Sequence, residues 1–541
     1  MAKSATKPRA RDLKEGQLHQ ALGSRGISTW ATVAPAALTL VLGGAFLGRA
    51  SLWTDEAATW VSSTQPVSNI IANSSHVDVI FLPYYLFMHF WLGASQSLWW
   101  MRLPSLVTGA GAVAALGLLA RRWLPPIWSV LAGLLLALNP LFVQFTMQAR
   151  PYTAATMFAV LSTAALVKAI DRPSALRWVR YGVASLCMLV LHLIAVFVLV
   201  AQLIGVVVAR RRQAWRGMAA TLACVAVAVS PLAVLSAGQT SQIAWVSRST
   251  LQTFLAALRA VSGARVDTAG LVICGIILAA VIASSAPRSE EVLGAALCLS
   301  WGALPPLLLV LVGFVHPLYV DRYTVVCLPG IALVEAMAGR RAWTILTALG
   351  RTHRTSGAEP KASAPVGPLD RCGARRWVSV VAAVTLGGAC VGGLAVLASN
   401  TSHVLQEHYY GDDYRSAAAA LDSDLLLRPA SIMITPNWAG VGFSYYATPS
   451  ALAHALGEQA TQALDQARID WQEIPLGRHD ESSVLGWPLG AERETPTARC
   501  VVGWAIGRGT APSTTFIVDG SSCRLSHVHY YGFVWVASAE A

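Results

Sequence analysis

The sequence predicts a mainly α-helical, polytopic membrane bundle that carries a small extracytoplasmic α/β domain at its C-terminal end. Three observations predict this fold class. Hydrophobic residues make up 55% of the 541 residues and charged residues only 13%. Apolar runs long enough to cross a bilayer recur between Trp30 and Ser399. Residues 400–541 are polar instead, with 15 acidic residues, 8 arginines and no lysine.

The apolar runs and the basic segments between them divide the chain into five parts. We expect about ten or eleven spans, with the N-terminus cytoplasmic and the C-terminus outside, because basic residues favour the cytoplasmic side. The parts are a disordered basic cytoplasmic tail at 1–27, the main transmembrane module at 28–338, a basic cytoplasmic linker at 339–376, a last transmembrane helix at 377–399 and the extracytoplasmic domain at 400–541.

Two apolar stretches do not fit a simple count of spans. Val79–Ala120 is interrupted at Arg102-Leu103-Pro104, and we predict an interfacial or re-entrant helix at Tyr84–Ser95 followed by one full span. Gly182–Ala209 begins and ends at basic clusters, which predicts two short helices bent around His192.

The C-terminal domain shows elements of an α/β fold but no catalytic motif. Asp412–Leu427 predicts a helix capped by Asp413, and strands are expected at 431–435, 500–507, 516–518 and 531–538. We interpret the domain as an acceptor-binding or structural lid. Cys500 and Cys523 are candidates for a disulfide if the domain lies outside the cell.

The net charge of +12 does not indicate a nucleic-acid partner. The basic residues gather in the tail and in short loops between apolar runs, where they set the orientation of a membrane protein. We therefore predict a plasma-membrane protein with a lipid environment and no nucleic acid.

The stretch Ser51–Asp78 organises the prediction of a site. It is a polar segment between apolar runs, and it contains the adjacent acids Asp55 and Glu56. Carboxylates beside the hydrocarbon region are expensive to desolvate and often mark a reaction site. The alternative is a helix N-cap, formed by Thr54 or Asp55 with Glu56 in the first turn.

The predicted topology collects further polar residues at the same outer face, on four outer loops: the first is Ser51–Asp78, the second Gln148–Tyr152, the third Gly238–Asp267 and the fourth His316–Tyr323. Arginines there can equally be interfacial anchors, the tyrosines can belong to an aromatic belt, and His76, His89 and His192 are more often satisfied polar residues than ligands. The residues of the site are Asp55, Glu56, His76, Asp78, Gln148, Arg150, Tyr152, Arg322 and Tyr323.

The combination of these side chains predicts a chemistry. A carboxylate can take a proton from a hydroxyl nucleophile, and arginines can hold a phosphate and stabilise its negative charge. These are the parts needed to move a group from a phospholipid carrier to an external alcohol.

The chain resembles integral-membrane glycosyltransferases of the GT-C superfamily, which includes protein O-mannosyltransferases and lipid A aminoarabinose transferases. It is most similar to actinobacterial proteins described as mannosyltransferases. The matching elements, spread over residues 28–400, are Trp53-Thr54-Asp55-Glu56, Tyr84-Tyr85 with His89-Phe90-Trp91, Arg102-Leu103-Pro104-Ser105, Ala149-Arg150-Pro151-Tyr152 and Asp321-Arg322-Tyr323.

The resemblance implies a donor, an acceptor and a role for each residue of the site. The donor would be a polyprenyl-phosphate-linked sugar, with mannose favoured and a pentose next. The acceptor would be an envelope glycan, glycolipid or protein. Asp55 would be the general base of an inverting transfer, with Glu56 as a second catalytic carboxylate that orients the acceptor or holds a cation. His76, Asp78, Gln148 and Tyr152 would orient the acceptor, with Asp78 as the alternative holder of a cation, while Arg150, Arg322 and Tyr323 would bind the donor phosphate.

Two departures from the family leave metal dependence open. Many relatives carry His-Pro-Pro or Lys-Pro-Pro where this chain has Asp78–Pro83, and Gln148 stands where some relatives have an acid. A divalent cation, Mg²⁺ or Mn²⁺, is therefore only a candidate cofactor. Two other functions stay open from the residues alone, a transporter or flippase of lipid-linked sugars and a non-catalytic scaffold for envelope enzymes.

Overall fold

The computed structural model describes residues 32–240, 246–263, 267–285, 289–349, 391–405 and 413–425, six strands between 431 and 540, and a few single residues between these. The helices are α1 (Thr32–Phe46), α2 (Thr54–Ser63), α3 (Val67–Ser74), α4 (Leu82–Leu92), α5 (Leu98–Ala120), α6 (Pro126–Ala137), α7 (Pro140–Thr146), α8 (Tyr152–Asp171), α9 (Ala175–Leu191), α10 (Val196–Val208), α11 (Trp215–Ala237), α12 (Leu251–Ser262), α13 (Asp267–Ser284), α14 (Glu290–Gly313), α15 (Leu328–Leu349), α16 (391–404) and α17 (Tyr414–Leu425).

The described helices confirm a multi-pass membrane protein. Five of them are long and apolar enough to cross a bilayer, namely α5, α8, α14 and, each with the turn before it, α11 and α15. The pair α6 and α7 makes a sixth candidate that is bent by 67°. Four further apolar helices are shorter than a full span. The predicted span Trp377–Ala398 lies mostly outside the described residues, so the total of ten or eleven stays a prediction.

The bend between α6 and α7 has a cause in the sequence. Pro140 lacks an amide hydrogen and is tolerated only in the first turn of a helix. Asn139 caps the new helix, since its Oδ1 accepts a hydrogen bond from Phe142 N at 3.2 Å. The apolar run Trp128–Phe145 therefore forms two helices instead of one.

The two ambiguous stretches resolve into short and long helices. The short apolar helix α4 precedes the full-length helix α5, as predicted, but the break lies at Gly93–Ser97. Pro104, expected at the interruption, lies inside α5 instead. Gly182–Ala209 does bend at His192, where α9 ends and a 3-10 turn leads into α10.

Two segments are more helical than the sequence indicated. The polar stretch Ser51–Asp78 contains the two short helices α2 and α3. Helix α15 continues to Leu349 and so extends into the predicted linker. The amphipathic segment Leu251–Val261 lies within α12.

The C-terminal domain combines the predicted helix with a six-stranded sheet. The strands are β1 (Ser431–Thr435), β2 (Ser483–Leu485), β3 (Gly503–Arg508), β4 (Thr515–Val518), β5 (Ser521–Tyr531) and β6 (Val534–Glu540). Their order is β2-β1-β3-β6-β5-β4, and only β1 and β3 pair in parallel. Strands β2 and β5 were not predicted. The proposed Cys500–Cys523 pairing falls outside the described residues.

Candidate active site

The acidic pair opens helix α2. Trp53 is in an extended conformation and serves as the N-cap residue, so Asp55 and Glu56 lie in the first turn, where the helix dipole favours negative charge. Neither Thr54 nor Asp55 is the cap that the alternative interpretation required. Neighbouring residues on a helix point about 100° apart, so the two carboxylates enter different surroundings.

Glu56 is buried in an ion pair with Arg102. The guanidinium donates from Nε to Oε1 at 2.8 Å and from Nη2 to Oε2 at 2.6 Å, and both side chains are fully buried. Ala149 N also donates to Oε1 at 2.8 Å. Since both oxygens are occupied, the structure does not support the predicted catalytic role of Glu56. Its carboxylate holds the second outer loop against helix α5.

Arg102 extends this connection to the start of the first outer loop. Its Nη groups donate to the backbone carbonyl oxygens of Leu47, Ala50 and Ser51 at 2.8, 2.9 and 3.0 Å. One buried guanidinium therefore joins α5, the end of the α1 segment and α2. This arrangement fixes the place at which Asp55 emerges.

Asp55 lies between two arginines from distant parts of the chain. Its Oδ2 is 3.2 Å from Arg322 Nη1 and 3.9 Å from Arg150 Nη2. The side chain is 23% exposed, against 4% for Arg150 and 17% for Arg322. The structure thus brings together the first, second and fourth outer loops, as the sequence predicted.

Arg150 is held from several directions. Its Nη1 donates to the backbone oxygen of Asp55 and to Thr59 Oγ1, both at 3.2 Å. Its Cζ lies 3.9 Å from the centre of the Phe81 ring, a cation–π distance. The guanidinium is therefore in place before any ligand binds.

Three rings from separate elements line up beside the arginines. The ring of His192 lies 5.4 Å from the ring of Tyr152 and 5.4 Å from the ring of Tyr323. His192 is buried, and its Nε2 has no hydrogen-bond partner in the described part of the chain. The sequence favoured a satisfied polar residue at His192, which its unpartnered Nε2 does not support, and only the predicted bend at His192 indicated its position.

Two residues of the second outer loop share this property. The hydroxyl of Tyr152 and both polar side-chain atoms of Gln148 lack hydrogen-bond partners among the described residues. Leaving such a group unpaired costs about 1–3 kcal/mol, so several of them on one loop indicate a place where a ligand supplies the partners.

Asp78 closes the first outer loop beside the arginines. Its backbone is left-handed, with φ of 62°, and Tyr85 Oη donates to Oδ2 at 2.9 Å. The next amide, Val79 N, donates to Gln239 Oε1 at 2.9 Å, which fastens the loop to the end of α11. Burial raises the pKa of Asp78 above its ordinary value of 3.8, although Arg150 and the hydrogen bond from Tyr85 act in the opposite direction.

The histidines of the first outer loop and α4 lie apart from this cluster. His76, predicted to orient the acceptor, is exposed at the end of α3. His89 Nδ1 lies 2.9 Å from Ser63 O, so it is a satisfied polar residue, as expected. The structure therefore gives no support to the role predicted for His76.

The carboxylates do not form a cation cage. In the described residues, no group of three or more His, Cys, Asp or Glu side chains is arranged to hold a metal ion. Asp55 faces two guanidinium groups, Glu56 is bound by Arg102, and Asp78 accepts from Tyr85. The donor set therefore does not fit Mg²⁺ or Mn²⁺, and we derive no step through a metal.

The C-terminal domain contacts the residues just before Asp55. Leu52 N donates to Tyr446 Oη at 2.7 Å, and Arg415 donates to the backbone oxygens of Gly48 and Arg49 at 3.0 Å. The ring of Tyr445 packs edge-on against Trp60, with centroids 5.1 Å apart. The domain thus borders the site.

Residues 80–236 match the family described as dolichyl-phosphate-mannose-protein mannosyltransferase. A search of curated proteins finds no match. The matched region contains Arg102, Gln148, Arg150, Tyr152 and His192, and it excludes Asp55 and Arg322.

Three solved structures are similar at low identity. ArnT from Cupriavidus metallidurans bound to undecaprenyl phosphate has a TM-score of 0.48 at 12% identity, covering 94% of this chain and 97% of that one. Archaeal oligosaccharyltransferase AglB from Archaeoglobus fulgidus, in complex with an inhibitory peptide and a dolichol-phosphate, has a TM-score of 0.46 at 10% identity. The match covers 89% of this chain and 69% of that one. Arabinosyltransferase EmbB from Mycobacterium smegmatis has a TM-score of 0.38 at 15% identity, and the match covers 69% of this chain and 40% of that one.

The family match rests on sequence and is independent of the geometry described above. It falls on the part of the chain that supplies the second outer loop and the rings of Tyr152 and His192. The resemblance of this chain to integral-membrane glycosyltransferases of the GT-C superfamily is therefore confirmed, by the match over residues 80–236 to the mannosyltransferase family.

Proposed function

We propose that the protein is a membrane glycosyltransferase that moves a sugar, mannose in the first instance, from a polyprenyl-phosphate donor to a hydroxyl group of an envelope glycan, glycolipid or protein. The reaction takes place at the outer face of the plasma membrane. One observation carries the proposal: the carboxylate of Asp55 stands between the guanidinium groups of Arg150 and Arg322.

Two arginines beside one carboxylate suit a phosphate-linked donor. Guanidinium groups bind phosphate through paired, charge-assisted hydrogen bonds. A donor phosphate placed between Arg150 and Arg322 neutralises the positive charge beside Asp55, whose Oδ2 accepts no hydrogen bond within the described residues and so can accept a proton. Donor binding thereby prepares the base.

The transfer step follows from that arrangement. The acceptor oxygen attacks the anomeric carbon while its proton passes to Asp55 Oδ2. The bond between the anomeric carbon and the phosphate oxygen breaks, and the polyprenyl phosphate leaves with the electron pair. Arg150 and Arg322 stabilise the negative charge on the leaving phosphate. A single displacement of this kind inverts the anomeric configuration.

The polar atoms beside the arginines are suited to hold the sugar. Tyr152, His192 and Gln148 each present a buried polar atom that has no hydrogen-bond partner in the described chain. The hydroxyl groups of a hexose can both donate and accept, so they satisfy such atoms. We assign these three residues to the sugar and Asp78 to the acceptor side.

The test uses the purified full-length protein in nanodiscs, supplied with radiolabelled polyprenyl-phosphate mannose and an envelope glycolipid fraction. A polyprenyl-phosphate pentose serves as the second donor, and Asp55→Asn is assayed beside the wild type. We expect label in the glycolipid with the wild type and a loss of about 10³-fold in the variant, the scale of general-base catalysis.

Transfer from neither donor, in preparations whose thermal unfolding is intact, would contradict the proposal. Movement of donor across the bilayer without covalent transfer would favour the flippase. Transfer of pentose in preference to mannose would keep the reaction and change the sugar.

A further inference from the structure

A second polar cavity lies at the end of the bundle opposite to Asp55. Helix α5 begins near Glu56 and ends beside Arg122, about 30 Å away at 1.5 Å per residue. The cavity there has a volume of about 310 Å³. It is lined by charged residues, among them Arg122, Arg340 and Arg341, and by the apolar side chains of Leu278, Val281 and Met337.

Ion pairs account for most of the charge around this cavity. Glu290 pairs with Arg122 and Arg211, each at 2.7 Å, and Arg122 also reaches Asp171 at 3.1 Å. Arg341 lies 3.4 Å from the carboxylate of Glu291. These three arginines are balanced by the three acids Asp171, Glu290 and Glu291. Arg340, which also lines the cavity, adds one further positive charge.

The surplus charge belongs to Arg340. Among the described residues it takes part in no ion pair, and its Nη1 donates to the backbone oxygen of Trp123 at 2.6 Å. Trp123 itself lines the cavity, is 8% exposed, and has an Nε1–H without a hydrogen-bond partner in the described chain. A guanidinium without a counter-charge and an indole N–H without a hydrogen-bond partner thus belong to residues that line the same cavity, in the described part of the chain.

The position of the Trp123 ring is built into the packing. A Cβ atom at Gly294 would lie 2.8–2.9 Å from the indole ring, so the absence of a side chain there provides its space. The ring therefore lies flat against helix α14. A donor that is fixed in this way, with no partner, indicates a binding site rather than a flexible surface group.

We propose that this cavity binds a phosphate group, with Arg340 and Trp123 as its donors. A phosphate carries the negative charge and the acceptor oxygens that these two groups lack. The apolar side chains beside them suit the glycerol and acyl part of a phospholipid, because basic pockets between transmembrane helices bind anionic lipid headgroups. The inference stands apart from the proposed activity and concerns the other end of the bundle.

The test measures ligand binding to the full-length protein in detergent by native mass spectrometry and thermal unfolding. Phosphatidylglycerol, phosphatidylcholine and inorganic phosphate are added separately to the wild type, to Arg340→Gln and to Arg216→Gln. Arg216 is an exposed arginine outside the cavity and serves as the matched control. Trp123→Phe is a second variant that keeps a ring and removes the N–H.

We expect the wild type and Arg216→Gln to bind phosphatidylglycerol more tightly than phosphatidylcholine. Arg340→Gln should raise the dissociation constant about tenfold, the loss of one charge-assisted hydrogen bond, and Trp123→Phe about threefold. Stabilisation by inorganic phosphate alone, lost in Arg340→Gln, supports the phosphate site with a soluble source. If the wild type, Arg340→Gln and Trp123→Phe have the same dissociation constant for each of the three ligands, the proposal is overturned.

Discussion

The residues Asp55 and Glu56 are neighbours in the chain with different environments. Glu56 is fully buried and accepts hydrogen bonds from Arg102 and from a backbone amide. Asp55 is partly exposed and faces two arginines that can bind a phosphate. The geometry therefore assigns structure to one carboxylate and chemistry to the other.

Substitution of Glu56 tests the structural half of this assignment. Glu56→Gln leaves Arg102 buried without its counter-charge, and breaking such a pair costs about 3–5 kcal/mol. We expect a clearly lower unfolding temperature in detergent. Asp55→Asn is the comparison variant, and its unfolding temperature should fall less, because the Asp55 carboxylate is 23% exposed and its ion pairs are longer. Equal stability of the two variants would show that the buried pair does not hold the loop.

Asp78 provides a prediction on pH dependence. Burial raises the pKa of Asp78 in the folded state, so the folded protein binds more protons than the unfolded chain between the two pKa values. Its contribution to stability is present at low pH and is lost as the pH rises from about 3.8 through the folded pKa. Asp78→Asn removes this loss, and asparagine tolerates the left-handed backbone.

The stability of Asp78→Asn relative to the wild type should therefore increase with pH. The measurement is thermal unfolding of both proteins across pH 4–8 in the same detergent. A difference that is constant with pH, or that shrinks as the pH rises, would contradict the assignment.

At the scale of elements, helices α14 and α15 approach closely because both present glycine. A Cβ atom at Gly330 would lie 2.7 Å from Gly302 N and 2.9 Å from Trp301 Cγ. Trp301 is fully buried, and its Nε1 donates to Val326 O at 2.9 Å, in the turn that carries Arg322. This contact positions the fourth outer loop.

Replacing Gly330 by alanine should force the two helices apart. Overpacking of this kind costs about 1–3 kcal/mol, so we expect a lower unfolding temperature together with weaker donor binding. Gly44→Ala is the control, because its Cβ would lie 3.9 Å from the nearest atom, in ordinary contact. An effect of the same size in both variants would point to helix propensity instead of the α14–α15 contact.

The elements themselves were largely readable from the sequence. Apolar runs predicted the helices, and basic clusters predicted the bend at His192. The effect of single proline residues within apolar runs was harder to predict. Pro104 was expected to break a helix and lies within α5, whereas Pro140 does begin a new helix. The polar strand β5 lacks the apolar alternation that identifies a strand, and it was missed.

At the scale of the whole molecule, the sequence predicted which loops meet. Asp55, Arg150 and Arg322 were placed at one face from the order and orientation of the spans alone. Their separate roles were not predictable, because the partner of Glu56 comes from α5 and the neighbours of His192 come from α8 and from the turn before α15. Such contacts depend on tertiary packing, which one sequence does not reveal.

The bundle joins two polar regions with different expected ligands. The site around Asp55 is bordered by Arg415, Tyr445 and Tyr446 of the C-terminal domain. The cavity beside Arg340 lies at the opposite end of α5 and α15. Through the hydrogen bond from Leu52 N to Tyr446 Oη, the C-terminal domain contacts the loop that carries the proposed base.

The most direct test of the central claim separates donor binding from transfer. Binding of polyprenyl-phosphate mannose and single-turnover transfer would be measured on the same preparations of wild type, Asp55→Asn and Arg322→Gln. We predict that Asp55→Asn binds the donor within about threefold of the wild type and loses about 10³-fold in transfer rate. Arg322→Gln should lose at least about tenfold in binding. Transfer retained in Asp55→Asn, or donor binding unchanged in Arg322→Gln, would contradict a reaction site built from this carboxylate and these arginines.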